Sequence, residues 1–149
     1  MKYENSIIYQ INSSAKHFDK LFEQFFKDIN IGVTAAEHLA LMVVRDTQNC
    51  CQRDLARVLL KDRANTGKLA KSLEEKGLIK IEATIKNNRA VKILTITAKG
   101  KKLAKDTAYI FEPIKEQIEK EFSKEKLDEI TKYLQDFTQL ISRTLKTKI

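Results

Sequence analysis

Apolar residues recur every three or four positions in three long runs of this chain. The runs cover residues 7–29, 103–122 and 127–145. An α-helix completes a turn every 3.6 residues, so this spacing collects the apolar side chains of each run on one face. The pattern therefore predicts three amphipathic helices. Pro113 lies inside the second run and predicts a kink or a brief break there.

Shorter helices are predicted between the first two runs. Thr34 and Glu37 fit a capping box, in which the hydroxyl and the carboxylate each satisfy a backbone N–H, and a helix to about Arg45 follows. A short helix covers residues 52–60. A further helix covers residues 62–76, with an aspartate able to cap its start and a glycine directly after its end. A short turn joins the last two helices, which predicts a helix-turn-helix.

Two strands are predicted next, because apolar and polar residues alternate there instead of recurring at helical spacing. Residues 78–85 and 90–96 both show this alternation, and a polar tip at 86–89 separates them. The pair is therefore predicted to form a β-hairpin. The predicted inward positions are Ile79, Ile81, Ala83, Val91, Ile93 and Thr95.

Composition and charge indicate the fold class and the kind of binding partner. The 149 residues include one proline and four glycines, which favours one mainly α subunit with a small β-hairpin. Of the net charge of +8, residues 61–105 hold 13 Lys/Arg and 4 Asp/Glu, which is +9, and the remainder holds −1. This local charge predicts a polyanion partner such as double-stranded DNA, and a solvated lysine-rich surface is the alternative. No run of about 18 apolar residues occurs, so we expect a cytoplasmic protein without a membrane segment.

The helix over residues 62–76 has side chains suited to the DNA major groove. Its polar side holds Arg63, Asn65, Lys68, Lys71 and Ser72. Such side chains reach base edges and phosphates. Gly67 lies on the polar side although an internal glycine costs about 1 kcal/mol relative to alanine, and close approach of another backbone is one reason for a glycine there. A charged surface of a helical bundle is the alternative.

Two neighbouring groups would extend a DNA-binding surface. Gln52 and Arg53 begin the preceding helix and Lys61 lies in the turn, where all three could contact phosphates. The hairpin would act as a wing along the adjacent minor groove, whose negative potential attracts arginine. An ordinary solvated turn is the alternative for the wing. The wing residues are Lys86, Asn87, Asn88 and Arg89.

The order and spacing of several motifs resemble the MarR family of bacterial transcription regulators. The motifs are TAAEHLAL, QRDLA, DRANTGKLAKSLEEKGLI and ITAKG, and the resemblance covers nearly the whole chain. It implies a winged-helix dimer on a palindromic DNA operator, most often a repressor, with a small aromatic effector between the dimer layer and the winged part. The family's wing usually carries Asp-x-Arg where this chain has Asn-Asn-Arg. By resemblance, the base-reading positions are Arg63, Asn65, Thr66 and Lys68, and the wing arginine is Arg89.

The predicted organisation is a single subunit over residues 1–149. Residues 34–97 form the winged helix-turn-helix DNA-binding part, and residues 1–33 and 98–149 form the dimerisation layer. The predicted function is sequence-specific DNA binding by a homodimeric transcription regulator. The alternative is a dimeric winged-helix module that docks an acidic protein partner without reading DNA sequence. No phosphate-binding loop or nucleophile motif occurs in the sequence, so neither an enzyme nor a cofactor is expected.

Two adjacent cysteines precede the helix over residues 52–60. A helix N-terminus lowers the pKa of a thiol, so a redox switch at Cys50 and Cys51 is one interpretation, and a small buried side chain or cap is the other. Adjacent cysteines cannot complete a tetrahedral zinc site together, and His17 and His38 lie on separate predicted helices. We therefore expect no metal site.

Overall fold

The computed structural model describes residues 2–145. Over these residues the fold is mainly helical with one two-stranded hairpin, which confirms the predicted fold class. No helix in this part of the chain is long and apolar enough to cross a membrane. In chain order the elements are a 3₁₀ turn at Tyr3–Asn5, α1 at Ile7–Ile29, α2 at Ala35–Asp46, α3 at Gln52–Leu59, α4 at Arg63–Glu75, β1 at Ile79–Lys86, β2 at Arg89–Ile96, α5 at Ala98–Glu121 and α6 at Lys124–Thr144.

Local side-chain caps fix where α1 and α2 begin and end. The hydroxyl of Ser6 accepts from the Tyr9 N–H at the start of α1, and Asn30 ends that helix in the left-handed region with φ of 46°. The predicted capping box of α2 is confirmed. Its two bonds join Thr34 Oγ1 to the Glu37 N–H at 3.2 Å and Glu37 Oε2 to the Thr34 N–H at 2.8 Å.

The helix α5 continues through Pro113. The sequence predicted either a kink or a brief break at Pro113, and the prediction of a break was wrong. A proline removes one backbone donor and crowds the preceding turn, but the residues on both sides of Pro113 remain helical. With 24 residues, α5 has many other hydrogen bonds to maintain its helical course.

The hairpin has a two-residue turn. Lys86 pairs with Arg89, and Asn87 and Asn88 between them have φ of 51° and 59°. Positive φ at both central residues is typical of a type I′ turn, which matches the twist of the strands, and asparagine tolerates this conformation better than most residues. The turn is therefore shorter than the four-residue polar tip in the sequence suggests.

The inward face of the hairpin differs in part from the predicted one. Ile79 pairs with Ile96, and Ile81 pairs with Leu94, so these four side chains share one face. Leu94 is buried, whereas Thr95 and Ala83 are exposed. On β2 the predicted inward positions are therefore shifted by one residue. Ile93 lies on the face opposite Leu94 and pairs with Cys51 in an isolated bridge.

The core of the winged part lies between α2, α3, α4 and the hairpin, which contact one another. Apolar residues from all of these elements are buried there, so the helix-turn-helix and the wing share one core. The backbone just before α3 also joins the hairpin, because Leu94 N–H donates to Cys50 O at 2.8 Å. The buried apolar residues include Ala40, Leu41, Val44, Leu55, Ala70, Leu73, Leu78, Ile79 and Leu94.

The chain divides between Lys105 and Asp106 into two compact units. In the first unit, Phe26 is buried among the described residues of α1, whereas large apolar side chains nearer its start are exposed. In the second unit, the described residues of α6 include none that is buried. Both helices thus carry apolar side chains in contact with solvent. The large exposed apolar side chains are Ile7, Ile8, Phe18, Leu21 and Phe22 on α1 and Ile130, Tyr133, Leu134 and Leu140 on α6.

Candidate nucleic-acid interface

The α3 and α4 helices are joined by a three-residue turn. Leu60 leaves α3 in the left-handed region with φ of 51°, and Asp62 caps α4 by accepting the Asn65 N–H at 2.8 Å. The hydrogen bonds from the Asn65 backbone and side chain hold the pKa of the Asp62 carboxyl below its usual value. A negative cap at the first turn suits the positive end of the helix dipole. The result is a helix-turn-helix with a fixed start for α4.

Four of the six predicted recognition-helix residues have exposed side chains. Arg63, Asn65, Lys68 and Lys71 are all exposed on α4. The Asn65 amide donates to Asp62 Oδ2 at 2.6 Å, and Lys71 lies 3.8 Å from Glu75 Oε1. Both partners are themselves exposed, so these contacts can exchange for DNA at low cost.

Thr66 and Ser72 are placed differently from the prediction. Thr66 has 0% of its surface exposed, and its hydroxyl donates to Asp62 O at 2.8 Å. It therefore cannot read a base in this structure, because it lies on the side of α4 that faces the core. Ser72 is half-buried, and its hydroxyl donates to Glu37 Oε1 at 2.5 Å, so this group is occupied inside the fold.

Gln52 explains the glycine on α4. Its side-chain amide donates to Arg63 O at 3.1 Å, and a Cβ at Gly67 would lie 2.9 Å from the same nitrogen. Within the described part of this chain, the close approach to Gly67 therefore comes from a side chain. The Gln52 amide therefore joins the start of α3 to the start of α4. Arg53, the next residue, is exposed.

The wing and the start of α3 border one groove. The groove has a volume of about 890 Å³ and contains four Arg or Lys side chains that were predicted to bind DNA, together with Lys92. All four wing residues, 86–89, are exposed. The structure thus brings Arg53 and Arg89, which are 36 positions apart in sequence, to one cationic surface. The predicted residues that line it are Gln52, Arg53, Arg63, Lys86, Asn87 and Arg89, whereas Lys61, Lys68, Lys71 and Asn88 lie outside it.

The strand-to-helix junction after β2 fixes the base of the wing. Thr97 Oγ1 donates to Gly77 O at 2.7 Å and accepts from the Gly100 N–H at 3.0 Å, and the Thr97 N–H donates to Leu78 O at 3.0 Å. A second hydrogen bond runs from the Ile81 N–H to the Glu74 carboxylate at 2.9 Å. The end of α4 and the base of the hairpin are thereby held to each other.

Glu37 has a role that the sequence pattern did not reveal. It was predicted only as part of a cap, yet it is 5% exposed and also binds Ser72 and Lys76 of α4. Burial by itself would raise the pKa of Glu37, but the hydrogen bonds from Lys76, Ser72 and the Thr34 N–H outweigh burial and lower it. Spacing could not have identified these partners, because they are 35 and 39 residues away.

The two cysteines are both buried. Burial, followed by the charges of Asp54 and Cys51, raises the pKa of Cys50 to about 11, which is opposite to the lowering expected at a helix N-terminus. The Cys51 thiol donates to Asp54 Oδ2 at 2.9 Å, so Cys51 occupies the place of a cap. This arrangement supports the interpretation of both cysteines as small buried side chains, because reactive thiols are partly exposed and have a lowered pKa.

The two histidines lie apart from the groove. His17 Nδ1 is 3.2 Å from Ser13 O on the exposed side of α1, and the His38 ring packs on Phe26 at a centroid distance of 5.0 Å. Burial, and then the charge of Arg45, lowers the pKa of His38. Over residues 2–145, no cluster of three or more His, Cys, Asp or Glu side chains is arranged to hold a metal ion.

A helix-turn-helix followed by an antiparallel hairpin, with cationic side chains on both, defines a winged-helix DNA-binding protein. The sequence profile described as MarR family matches residues 31–90, which span the helix-turn-helix and most of the hairpin. Residues 31–90 therefore match the MarR family, whose members are transcription regulators and not enzymes.

Comparison with individual proteins gives the same class. The chain is 28% identical over 134 residues to the HTH-type transcriptional regulator BilQ of Clostridioides difficile (strain CD3), covering 90% of this chain and 88% of BilQ. A MarR/EmrR family transcriptional regulator from Acinetobacter sp. ADP1 superposes with a TM-score of 0.83 at 18% identity, over 96% of this chain and 99% of that one. MepR of S. aureus, in a structure of a MepR–DNA complex, has a TM-score of 0.76 at 18% identity, over 94% and 99% of the two chains.

Proposed function

We propose that this protein is a sequence-specific transcription regulator that binds an inverted-repeat operator as a homodimer. The observation that carries the proposal is the cationic groove shared by α3, the start of α4 and the wing. Exposed side chains of α4 would read bases, since arginine, lysine and asparagine offer donors to base edges in the major groove. The base-reading residues are Arg63, Asn65 and Lys68, and the phosphate-binding residues are Arg53, Lys61, Lys71, Lys86 and Arg89.

The homodimer is supported by the exposed apolar side chains of α1 and α6. Contiguous apolar surface on a regulator of this size needs a partner, and a second copy offers a self-complementary one. A two-fold dimer places two α4 helices on two half-sites, which explains an inverted repeat. In this organisation residues 34–97 bind DNA and the helices on either side of them form the dimer. Such a regulator works in the cytoplasm, where its DNA is, and acts as a repressor by occupying its operator.

A small aromatic effector is supported by a cavity of about 540 Å³ within the first unit. Its walls are apolar at Phe26 and Val33 and charged at Glu23, Lys27 and Lys76. This mixture suits an aromatic ring that carries a polar group. Thermal denaturation with a panel of aromatic carboxylates and phenols tests this part. We expect one class to raise the melting temperature, and a panel without effect on melting or on DNA binding would refute it.

Selection of random DNA duplexes on the purified protein tests the function as a whole. We expect one enriched sequence with two-fold symmetry, half-sites about one helical turn apart, and two subunits bound per duplex. A reporter gene behind the selected operator should then be less active when the protein is present. An activated reporter would refute the repressor role.

The salt dependence of binding separates DNA recognition from docking of an acidic protein. Arg89→Ala should lower affinity for all duplexes and reduce the slope of log affinity against log salt by about 0.9 for each lost phosphate contact. Lys132→Ala on α6, an exposed lysine far in sequence from the wing, is the matched control and should leave the slope unchanged. Equal binding to every duplex sequence would favour the interaction module instead.

A further inference from the structure

We propose that Glu37 is a positioning residue for DNA reading, because it sets the rotation of α4 about its own axis through Ser72 and Lys76. The inference rests on the proposed function, since it concerns how α4 presents its exposed side chains to a duplex. Glu37 itself lies on α2 and is buried, so it acts through α4 without touching DNA.

Both oxygens of the Glu37 carboxylate are held. Oε1 accepts from the Ser72 hydroxyl at 2.5 Å, and Oε2 accepts from Lys76 Nζ at 2.6 Å and from the Thr34 N–H at 2.8 Å. The Thr34 bond belongs to the capping box, so the carboxylate is itself fixed at the first turn of α2. A fixed, charged acceptor with two donors from one helix makes a directional contact, because hydrogen bonds to ionised groups are short and strong.

The geometry of α4 relates this contact to the reading side chains. Ser72 and Lys76 are four residues apart and therefore lie on neighbouring turns of one face. At 100° per residue, Ser72 lies only about 20° around the helix from Asn65, two turns further along. The bond to Ser72 thus fixes the direction in which Asn65 projects. Since side-chain tips lie about 5–6 Å from the helix axis, a rotation of about 15° moves them by roughly 1.5 Å.

A shift of that size matters for base reading and little for phosphate attraction. Bidentate hydrogen bonds to a base require positions accurate to about 0.5 Å. The charge attraction between lysine or arginine and the DNA backbone changes slowly with distance and carries no sequence information. Loss of the Glu37 contact should therefore lower specific binding while leaving non-specific binding nearly unchanged.

Ser72→Ala tests the positioning role with the smallest change. It removes one hydroxyl, and alanine favours a helix. The ratio of affinity for the selected operator to affinity for a scrambled duplex should fall by about fivefold to tenfold, which lies within the net contribution of a typical intramolecular hydrogen bond. Thr95→Ala on β2 removes an exposed hydroxyl outside the groove and outside the proposed dimer helices; it is the control and should leave the ratio unchanged.

Two lysine variants on the same helix separate positioning from phosphate contact. Lys76→Met removes a donor to Glu37 and should lower the specificity ratio without changing the salt dependence of binding. Lys71→Met removes an exposed lysine that is proposed to contact phosphate. It should leave the specificity ratio unchanged, weaken binding to all duplexes and lower the salt slope. Both substitutions replace a lysine with methionine and remove one positive charge. A difference between the two variants therefore does not come from loss of charge alone.

The outcomes distinguish this inference from the proposed function. If the unmodified protein shows no preferred operator, the proposed function itself fails. If it has a preferred operator and the ratio is unchanged in both Ser72→Ala and Lys76→Met, the positioning role of Glu37 is overturned. If Lys76→Met lowers the salt slope as Lys71→Met does, Lys76 acts as a phosphate contact, and the inference is likewise overturned.

Discussion

Replacing Gly100 by alanine should destabilise the junction between the hairpin and α5. Gly100 is buried in the first turn of α5, next to the cap formed by Thr97. A Cβ at this position would overlap the carbonyl oxygen of Leu78 and would lie 2.8 Å from Ile96 Cγ1. The Leu78 carbonyl accepts from the Thr97 N–H at 3.0 Å and lies 3.1 Å from the Thr97 hydroxyl, whose shorter bond goes to Gly77 O, so it cannot move without weakening the bond from the Thr97 N–H.

The size of the effect follows from two opposing contributions. Alanine in place of glycine favours a helix by about 1 kcal/mol. The added methyl group must push backbone aside, and overpacking of this kind costs about 1–3 kcal/mol, occasionally more. Weakening of a hydrogen bond to Leu78 O adds about 1 kcal/mol. We therefore expect the free energy of unfolding to fall by about 1–3 kcal/mol, which lowers the melting temperature by about 2–10 °C for a chain of this length.

Thermal and urea denaturation followed by circular dichroism measure this change, and Gly67→Ala is the matched control. A Cβ at Gly67 meets only the end of the Gln52 side chain, at 2.9 Å, which can turn away. The gain in helix propensity should then offset the lost Gln52 bond, leaving stability within about 1 kcal/mol of the original. Equal effects of the two substitutions, or a higher melting temperature for Gly100→Ala, would refute the argument from backbone contact.

Three further measurements follow from the site. The folded protein lowers the pKa of Glu37 from its ordinary 4.5. The stability that the Glu37 carboxylate contributes is therefore present above pH 4.5 and is lost as the pH falls through the lower pKa of the folded state. Glu37→Gln should reduce this acid sensitivity in denaturation curves. Cys50 should react with a thiol reagent only as fast as the fold opens, since it is buried and its pKa is raised to about 11, and rapid labelling under native conditions would contradict this. Asn65→Ala should cost about 1–3 kcal/mol of discrimination at particular bases while the salt slope stays the same, and a uniform loss over all operator positions would argue against base reading.

Local sequence signals predicted most of the elements correctly. The capping box at Thr34 and Glu37, the aspartate cap of α4 and the hairpin all involve residues close together in sequence, so their chemistry can be read directly. The prediction was less accurate where apolar residues are consecutive. In the run from Val91 to Ile96 several residues suit either face, and the pairing with β1 decides which of them are buried.

The sequence by itself determined the winged-helix class, the cationic segment and the boundaries of its helices, because helical period, strand alternation and caps act over a few residues. The tertiary structure decided which polar side chains of that segment remain exposed. It buried Thr66, directed Gln52 at Gly67 and placed Ser72 against Glu37, although these last two are 35 residues apart. The physical reason is that burial and hydrogen-bond partners depend on how helices pack against each other, and packing joins residues whose separation in sequence carries no periodic signal.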